Sequence, residues 1–374
     1  MSRIRVGVLF GGRSSEHEVS LMSARSVLDA LDPEKYEVIQ IGITKEGRWL
    51  VAADAVDRLI ERAGEAGALE GAVESTAAVA LLADPSRGGR LVRPEAGEVP
   101  AALDRPLDVI FPLVHGQTGE DGALQGLFDL AGMPYVGAGI AGSAVGMDKV
   151  LAKAVWRAAG RPVAPYRALG VHEWLADRAR WKGEIASGLG FPCFVKPANS
   201  GSSIGVVKVH GLDELEAAIE EAASYDTRLL VEAMVAGREL ECGVIGNEAP
   251  AASVVGEVIP GHEFYDYEDK YFDDAVRLVI PAEIPEATAA ETRALAVAAY
   301  RAVDAGGMAR VDFFLDGDGK VWLNEINTIP GFTRMSMFPR LWEASGLPFR
   351  ELCDQLIALA LERAAAKRAL RHGR

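Results

Sequence analysis

The first forty or so residues narrow the choice of fold more than any other stretch. Residues 4–10 (Ile-Arg-Val-Gly-Val-Leu-Phe) form a nearly continuous apolar run that ends at Gly11-Gly12. Val19, Met22, Ala24, Val27, Leu28 and Leu31 then recur at helical spacing, and residues 36–43 read as a second strand. A strand apolar along its whole length is buried on both faces, as in parallel sheets, and parallel neighbours need a crossover helix. The chain therefore opens as a βαβ unit, which predicts an α/β protein with a parallel sheet. Ser15 and Glu18 have capping-box spacing and set the expected helix start.

With 374 residues the chain is expected to hold two or three domains. Apolar residues are 49% and charged residues 25%, the balance of a folded protein with real cores. The net charge of -15 argues against a nucleic-acid surface, which needs concentrated Lys and Arg. Cys193, Cys242 and Cys353 form no CxxC pair, so a reducing compartment without a thiol metal site is expected. The short N-terminal apolar run carries no cleavage motif, and nothing approaches the ~20 apolar residues of a membrane span. Those readings place the protein in the cytoplasm, without membrane or nucleic-acid partners.

Further along, residues 46–106 are rich in Ala, Glu, Gly and Arg and read as a peripheral insertion, helical near 52–63. Residues 108–113 are a strand that leads into the loop 114–122, and a short strand is expected at 135–137. One helix is expected over 143–159, then strands at 191–197 and 204–209, a helix at 213–223 and a strand at 229–233. The pattern then becomes strand-rich, with helices at 286–304 and 349–370 and a hairpin at 309–327.

That hairpin carries the most chemistry. Two alternating runs, 309–315 and 320–327, flank Asp316-Gly317-Asp318-Gly319. A two-residue turn at Gly317-Asp318 pairs Arg310 with Glu325 and Asp312 with Leu323, so that 310, 312, 323, 325 and 327 share one face. Two carboxylates and an amide oxygen there are hard ligands suited to Mg²⁺. The same residues also suit a solvated sheet face with an Arg310–Glu325 cross-strand pair. Two glycine loops add to this. Residues 10–16 (Phe-Gly-Gly-Arg-Ser-Ser-Glu) sit between strand and helix but lack G-x-G-x-x-G, which argues against a dinucleotide site. Residues 200–205 (Ser-Gly-Ser-Ser-Ile-Gly) join two strands, where free N–H groups and hydroxyls can fold over phosphates.

Seven stretches, in order, resemble the D-alanine–D-alanine ligase family of the ATP-grasp superfamily. They are residues 9–20 (LFGGRSSEHEVS), 115–122 (HGQTGEDG), 147–149 (MDK), 195–205 (VKPANSGSSIG), 263–271 (EFYDYEDKY), 309–312 (ARVD) and 324–333 (NEINTIPGFT). The resemblance implies a three-domain ATP-grasp fold: an N-terminal Rossmann-like parallel-sheet domain (1–140, with the 46–106 insertion), a central domain (141–236) and a C-terminal domain (237–374). It implies that ATP phosphorylates one D-alanine and that a second attacks the acylphosphate, for peptidoglycan precursor synthesis.

By the same resemblance Asp312, Glu325 and Asn327 hold two Mg²⁺, which Mn²⁺ can replace, and Arg310 stabilises the acylphosphate and the oxyanion. Lys149, Lys196, Lys270, Ser202 and Ser203 meet the phosphates. Glu232, Ala233 and Val235 line the adenine pocket with Asn324 nearby, and Glu239 meets the ribose. Glu16 receives the first substrate's ammonium, with His115 close by, and Gly331, Ser336 and Met337 frame the second subsite. Glu16, Ser202 and Tyr271 form a hydrogen-bonded lid triad. Tyr271 favours an amine nucleophile over D-lactate. The rival readings are a D-alanine–D-lactate or D-alanine–D-serine ligase and a non-catalytic ATP-binding regulatory module. A homodimer through the first domain is the family's habit.

Overall fold

A computed structural model describes residues 3–62, 77–93, 105–260 and 276–370. The opening βαβ unit is β1 (Ile4–Gly11), α1 (His17–Ala30) and β2 (Tyr36–Ile43), with β1 parallel to β2 in register from Ile4↔Tyr36 to Gly11↔Ile43. Two short strands, β3 (Trp49–Val51) and β4 (Ala77–Ala78), add antiparallel to its edge. β5 (Ala80–Leu81) and β6 (Leu91–Val92) form a separate ribbon, and β7 (Val109–Pro112) pairs parallel with β1. The order is β4-β3-β2-β1-β7.

The stretch read as a peripheral insertion thus partly extends the main sheet, and its helix, α2 (Ala55–Arg62), is shorter than expected. The expected capping box does not form. Glu16 is the N-cap of α1, with no side-chain cap bond. The strand expected at 135–137 is a single bridge between Ile110 and Tyr135.

Side chains alternate across this sheet. Val6, Val8 and Phe10 point into one core and Leu9, Ile39, Ile41 and Ile43 into another, so both faces are buried as a parallel strand requires. β1 ends at Gly11, whose φ of +86° turns the chain so that the Gly12 N–H reaches the Ile43 carbonyl at 2.9 Å. A Cβ on Gly11 collides with that same carbonyl oxygen. Gly11→Ala is therefore expected to cost about 1–3 kcal/mol of stability, read as a lowered urea midpoint with an unchanged m-value.

Next come α3 (Ala123–Leu130), α4 (Ile140–Met147) and α5 (Lys149–Ala158). The single helix expected over 143–159 is two. Asp148 has extended dihedrals and caps α5, accepting the N–H groups of Val150 and Leu151 at 3.0 and 2.9 Å. The second sheet is wholly antiparallel: β8 (Tyr166–Gly170), β9 (Cys193–Pro197), β10 (Val207–Val209) and β11 (Arg228–Ala233), in the order β10-β9-β11-β8. Helices α6 (Val171–Ala176), α7 (Arg178–Gly188) and α8 (Leu215–Ala223) cover it, with Trp174, Trp181, Ile185 and Ile219 in the core. β10 starts at 207, three residues later than expected, because 201–205 belongs to the loop.

The third sheet is β12 (Gly237–Gly246), β13 (Ala251–Ile259), β14 (Arg277–Val279), β15 (Gly307–Asp316) and β16 (Val321–Asn327), in the order β14-β13-β12-β15-β16. α9 (Glu286–Ala302) and α5 cover one face, over Leu240, Cys242, Val244, Val311, Phe313 and Leu323. α10 (Met337–Ala344) and α11 (Phe349–Arg368) close the chain. α11 contributes Leu352, Leu356 and Ile357 to the core that also holds Val6, Val8 and Phe10, so the last helix shares a core with the first strand. Among the described residues no helix is long and apolar enough to cross a membrane.

Candidate active site

The face of the third sheet opposite α9 carries the polar residues, because strand side chains alternate. Arg310 lies opposite Asn327 and Asp312 opposite Glu325; the register then shifts, so that Phe313 faces Leu323. The two-residue turn expected here is a longer one, closed by the Asp316 N–H to the Lys320 carbonyl at 3.0 Å. That turn and the bulge around Asn324 replace the expected pairs. Leu323 is not on the polar face; it is buried in the core with Phe313. Arg310, Asp312, Glu325 and Asn327 share the face as expected, through different partners.

Glu241 on β12 lies opposite Asp312 and completes a row of three carboxylates across the sheet, Glu241–Asp312–Glu325. Arg310 sits against this row. Its Nε and Nη2 donate to the two oxygens of Asp312 at 2.8 and 2.7 Å, and Nε is 2.9 Å from Glu241. Asn327 Nδ2 adds a bond to Asp312 at 3.0 Å, so the amide nitrogen is the group used there and the amide oxygen is a further hard donor. Among the described residues no three His, Cys, Asp or Glu side chains are gathered around one point. The donor set is two carboxylates and an amide, with Arg310 as the cation against Asp312. That fits a Mg²⁺ site that completes its shell with water and phosphate oxygens.

Two cavities meet at this row. One, of about 300 Å³, lies between the second and third sheets and is lined by Lys149, Lys196, Ser203, Glu232, Ala233, Val235, Glu239, Asp312 and Asn324. The other, of about 610 Å³, is lined by Glu16, His115, Ser202, Asn327, Gly331, Ser336 and Met337. Lys149, Glu241, Arg310 and Glu325 line both. Every expected site residue within the described residues borders one or both cavities. Lys270 and Tyr271 lie outside the described residues.

The smaller cavity has a charged floor. Glu232, on β11 and almost fully buried, lies 2.8 Å from Lys196 Nζ and 2.6 Å from Lys153 Nζ. Burial works against all three charges. Lys153, 1% exposed, is driven below the usual lysine pKa by burial despite Glu232. For Lys196 burial acts in the same direction, but Glu232 and the more distant Glu325 and Glu239 outweigh it and raise the pKa. For Glu232 the two lysines overcome burial and hold its carboxyl below the usual range. Lys149 donates to the Ser200 carbonyl at 2.6 Å and lies 3.5 Å from Glu325, tying the 199–205 loop to the sheet.

At the larger cavity Glu16 stands at the N-terminus of α1, where the helix favours negative charge. Ser202 Oγ donates to Glu16 Oε1. Gly116 and Gly201 flank the same carboxylate: a Cβ on either would meet Glu16 Oε2 at 2.6 or 2.8 Å. Two loops thus close on Glu16, and a side chain on either would push its carboxylate aside. Ser202 and Ser203 adopt φ of +47° and +57°, so the loop is held bent toward it. Ser336 and Thr333 exchange bonds through both hydroxyls and backbone N–H groups at 2.8–3.1 Å, which fixes the loop before α10. His115 and Glu120 are buried in the wall of this cavity.

Lys153 and Glu241 were not expected from the sequence, and Glu120 stood in a quoted motif without a role. Lys153 had a signal, since it lies four residues after Lys149 on the same helix side.

A family model described as the D-ala D-ala ligase N-terminus matches residues 5–138, and one for the D-ala D-ala ligase C-terminus matches 155–358. The chain is 46% identical over 368 residues to a D-alanine–D-alanine ligase of Geobacillus thermodenitrificans, covering 98% of each chain. It is 48% identical over 372 residues to that of Streptomyces griseus, covering 97% of this chain and 94% of the relative. Among solved structures, the D-alanine–D-alanine ligase from Coxiella burnetii has a TM-score of 0.79 at 36% identity, over 98% of this chain and 97% of that one. The VanG D-Ala:D-Ser ligase from Enterococcus faecalis has a TM-score of 0.83 at 32% identity, over 96% of this chain and all of the other. The match spans both halves of the chain and both cavities, and the chain belongs to the D-alanine–D-alanine ligase family.

Proposed function

We propose that the protein joins two D-alanines into D-alanyl-D-alanine with ATP as the energy source. The observation that carries this reading is the junction of the two cavities at Lys149, Glu241, Arg310 and Glu325. A phosphoryl group held on one side can reach a carboxylate held on the other across that row.

On this reading ATP fills the smaller cavity, with its base near Glu232, Ala233 and Val235, its ribose at Glu239, and its phosphates beside Lys149, Lys196 and the Ser202-Ser203 loop. The first D-alanine lies in the larger cavity with its ammonium at Glu16. Its carboxylate oxygen attacks the γ-phosphorus and ADP leaves. The amine of the second D-alanine, placed by Gly331, Ser336 and Met337, attacks the acyl carbon; the C–O bond to phosphate breaks, and the departing phosphate takes the proton that the amine gives up. Both steps gather negative charge, so positioning and electrostatic stabilisation dominate. Asp312, Glu325 and Asn327 are the residues to hold Mg²⁺, two ions or Mn²⁺ in their place, and the metal supplies charge neutralisation for the phosphates. Arg310 would then exchange Asp312 for the acylphosphate and the developing oxyanion. The Ser202–Glu16 contact keeps the phosphate loop over the site, which excludes water from an intermediate that water would destroy.

The functional division into 1–140, 141–236 and 237–374 belongs to the same proposal, as does a cytoplasmic setting where ATP is supplied. The likeness to a D-Ala:D-Ser ligase makes D-serine the competing second substrate. Purified protein is expected to release ADP from Mg²⁺-ATP only when D-alanine is present, with the dipeptide as product. ADP release indifferent to D-alanine sinks the ligase reading. Mixed incubations with D-serine or D-lactate, analysed by product mass, decide the second substrate.

A further inference from the structure

The segment from Asn327 to Ser336 runs from the sheet to the second-substrate side of the larger cavity. Both backbone polar groups of Ile329 are held from a single loop of the N-terminal region. Glu120 Oε2 accepts the Ile329 N–H at 3.0 Å, and His115 Nδ1 lies 2.9 Å from the Ile329 carbonyl oxygen. The other oxygen of Glu120 accepts the Gly116 N–H at 2.9 Å. The other ring nitrogen of His115 lies 3.0 Å from Ser23 Oγ, which also accepts the Phe332 N–H at 3.3 Å. His115, Glu120, Ser23 and Ile329 are all buried.

One tautomer satisfies every group. Phe332 N–H donates to Ser23 Oγ, Ser23 O–H donates to His115 Nε2, and His115 Nδ1–H donates to Ile329. Burial pushes the His115 pKa down, which agrees with the neutral ring this chain requires. Both ring nitrogens and both Glu120 oxygens are thereby committed to protein.

We propose that Glu120, His115 and Ser23 are positioning residues that clamp the 328–332 backbone and so set the second-substrate subsite against the first. His115 then acts through Ile329 and not by touching D-alanine. The reach to the subsites rests on the ligase reading; the clamp itself does not.

The test uses full-length wild type, Glu120→Gln and Ser23→Ala. Gln keeps one acceptor but turns an amide N–H toward the other donor; Ala removes one hydroxyl and is the milder change. In both variants hydrogen exchange of the 328–333 amides is expected to speed up at least tenfold. KM for the second D-alanine rises about tenfold or more, while KM for the first and for ATP stays within twofold. Unchanged exchange overturns the clamp. Faster exchange with the two D-alanine KM values rising together, or not at all, overturns its assignment to the second subsite. A wild type that makes no dipeptide removes the ligase reading, and exchange alone then decides the clamp.

Discussion

Arg310→Ala lowers kcat by about 10²–10³-fold, the loss seen when one donor to a developing oxyanion is removed. The side chain borders both cavities and spans Asp312 and Glu241, so on the proposed ligase reading its charge sits where phosphate and acyl groups meet. Removing it also leaves two buried carboxylates facing each other across β12 and β15. The metal-free protein is therefore destabilised as well, by about 3–5 kcal/mol for a broken buried pair, and added Mg²⁺ recovers part of that loss. Arg310→Lys separates the two effects. Lysine restores a positive charge near Asp312 and with it much of the stability, but a point charge cannot reproduce the two-pronged contact. Its kcat stays depressed by more than tenfold. Parallel ADP-release kinetics and urea midpoints of both variants check this. A lysine variant within a factor of three of wild-type kcat would falsify the role of the guanidinium fork.

Which parts of this arrangement could be read from sequence follows from the range of the forces involved. Alternation with period two put Arg310, Asp312, Glu325 and Asn327 on one face without knowledge of the partners, because the face depends only on the strand's own pleat. The pairing was not legible. It depends on a bulge near Asn324 and on a longer turn, in which the Asp316 carboxylate accepts the Asp318 and Lys320 N–H groups. The break between α4 and α5 was missed for a similar reason. Asp148 within a run of good helix formers looks like an ordinary interior residue until its capping bonds and its 2.8 Å contact with Arg228 are seen. Loops around Gly11, Gly116 and Gly201 were legible as backbone that must bend, but not as the two walls around Glu16. Glu241 gave no signal, since a carboxylate alternating with Leu240 and Cys242 reads as a solvated strand face. The net charge of -15 argues against a nucleic-acid surface, yet it says nothing of Lys149 and Arg310 beside one row of carboxylates or of Lys153 and Lys196 on Glu232.

Glu232→Gln has the second large effect, and its signature is a pH dependence. Glu232 is the counter-charge that lets Lys153 and Lys196 stay buried as cations beside the smaller cavity. Glutamine keeps the shape and a hydrogen-bond acceptor but leaves two ammonium groups uncompensated, a loss of about 3–5 kcal/mol near pH 7. The folded variant escapes part of that penalty by releasing the proton of Lys153, whose pKa burial already lowers in the wild type. A lysine whose pKa is lower folded than unfolded loses its proton on folding, so the unfolded chain binds more protons and stability rises with pH. Without Glu232 the folded pKa falls further, which opens this window at lower pH than in the wild type. The deficit against wild type therefore shrinks as pH is raised from 6 toward 9, by up to about 1.4 kcal/mol per pH unit for one lysine. Urea denaturation at four pH values reads the slope directly. A deficit that stays constant over that range means Lys153 keeps its proton without Glu232, and the pairing would then not be what holds the two lysines beside the smaller cavity.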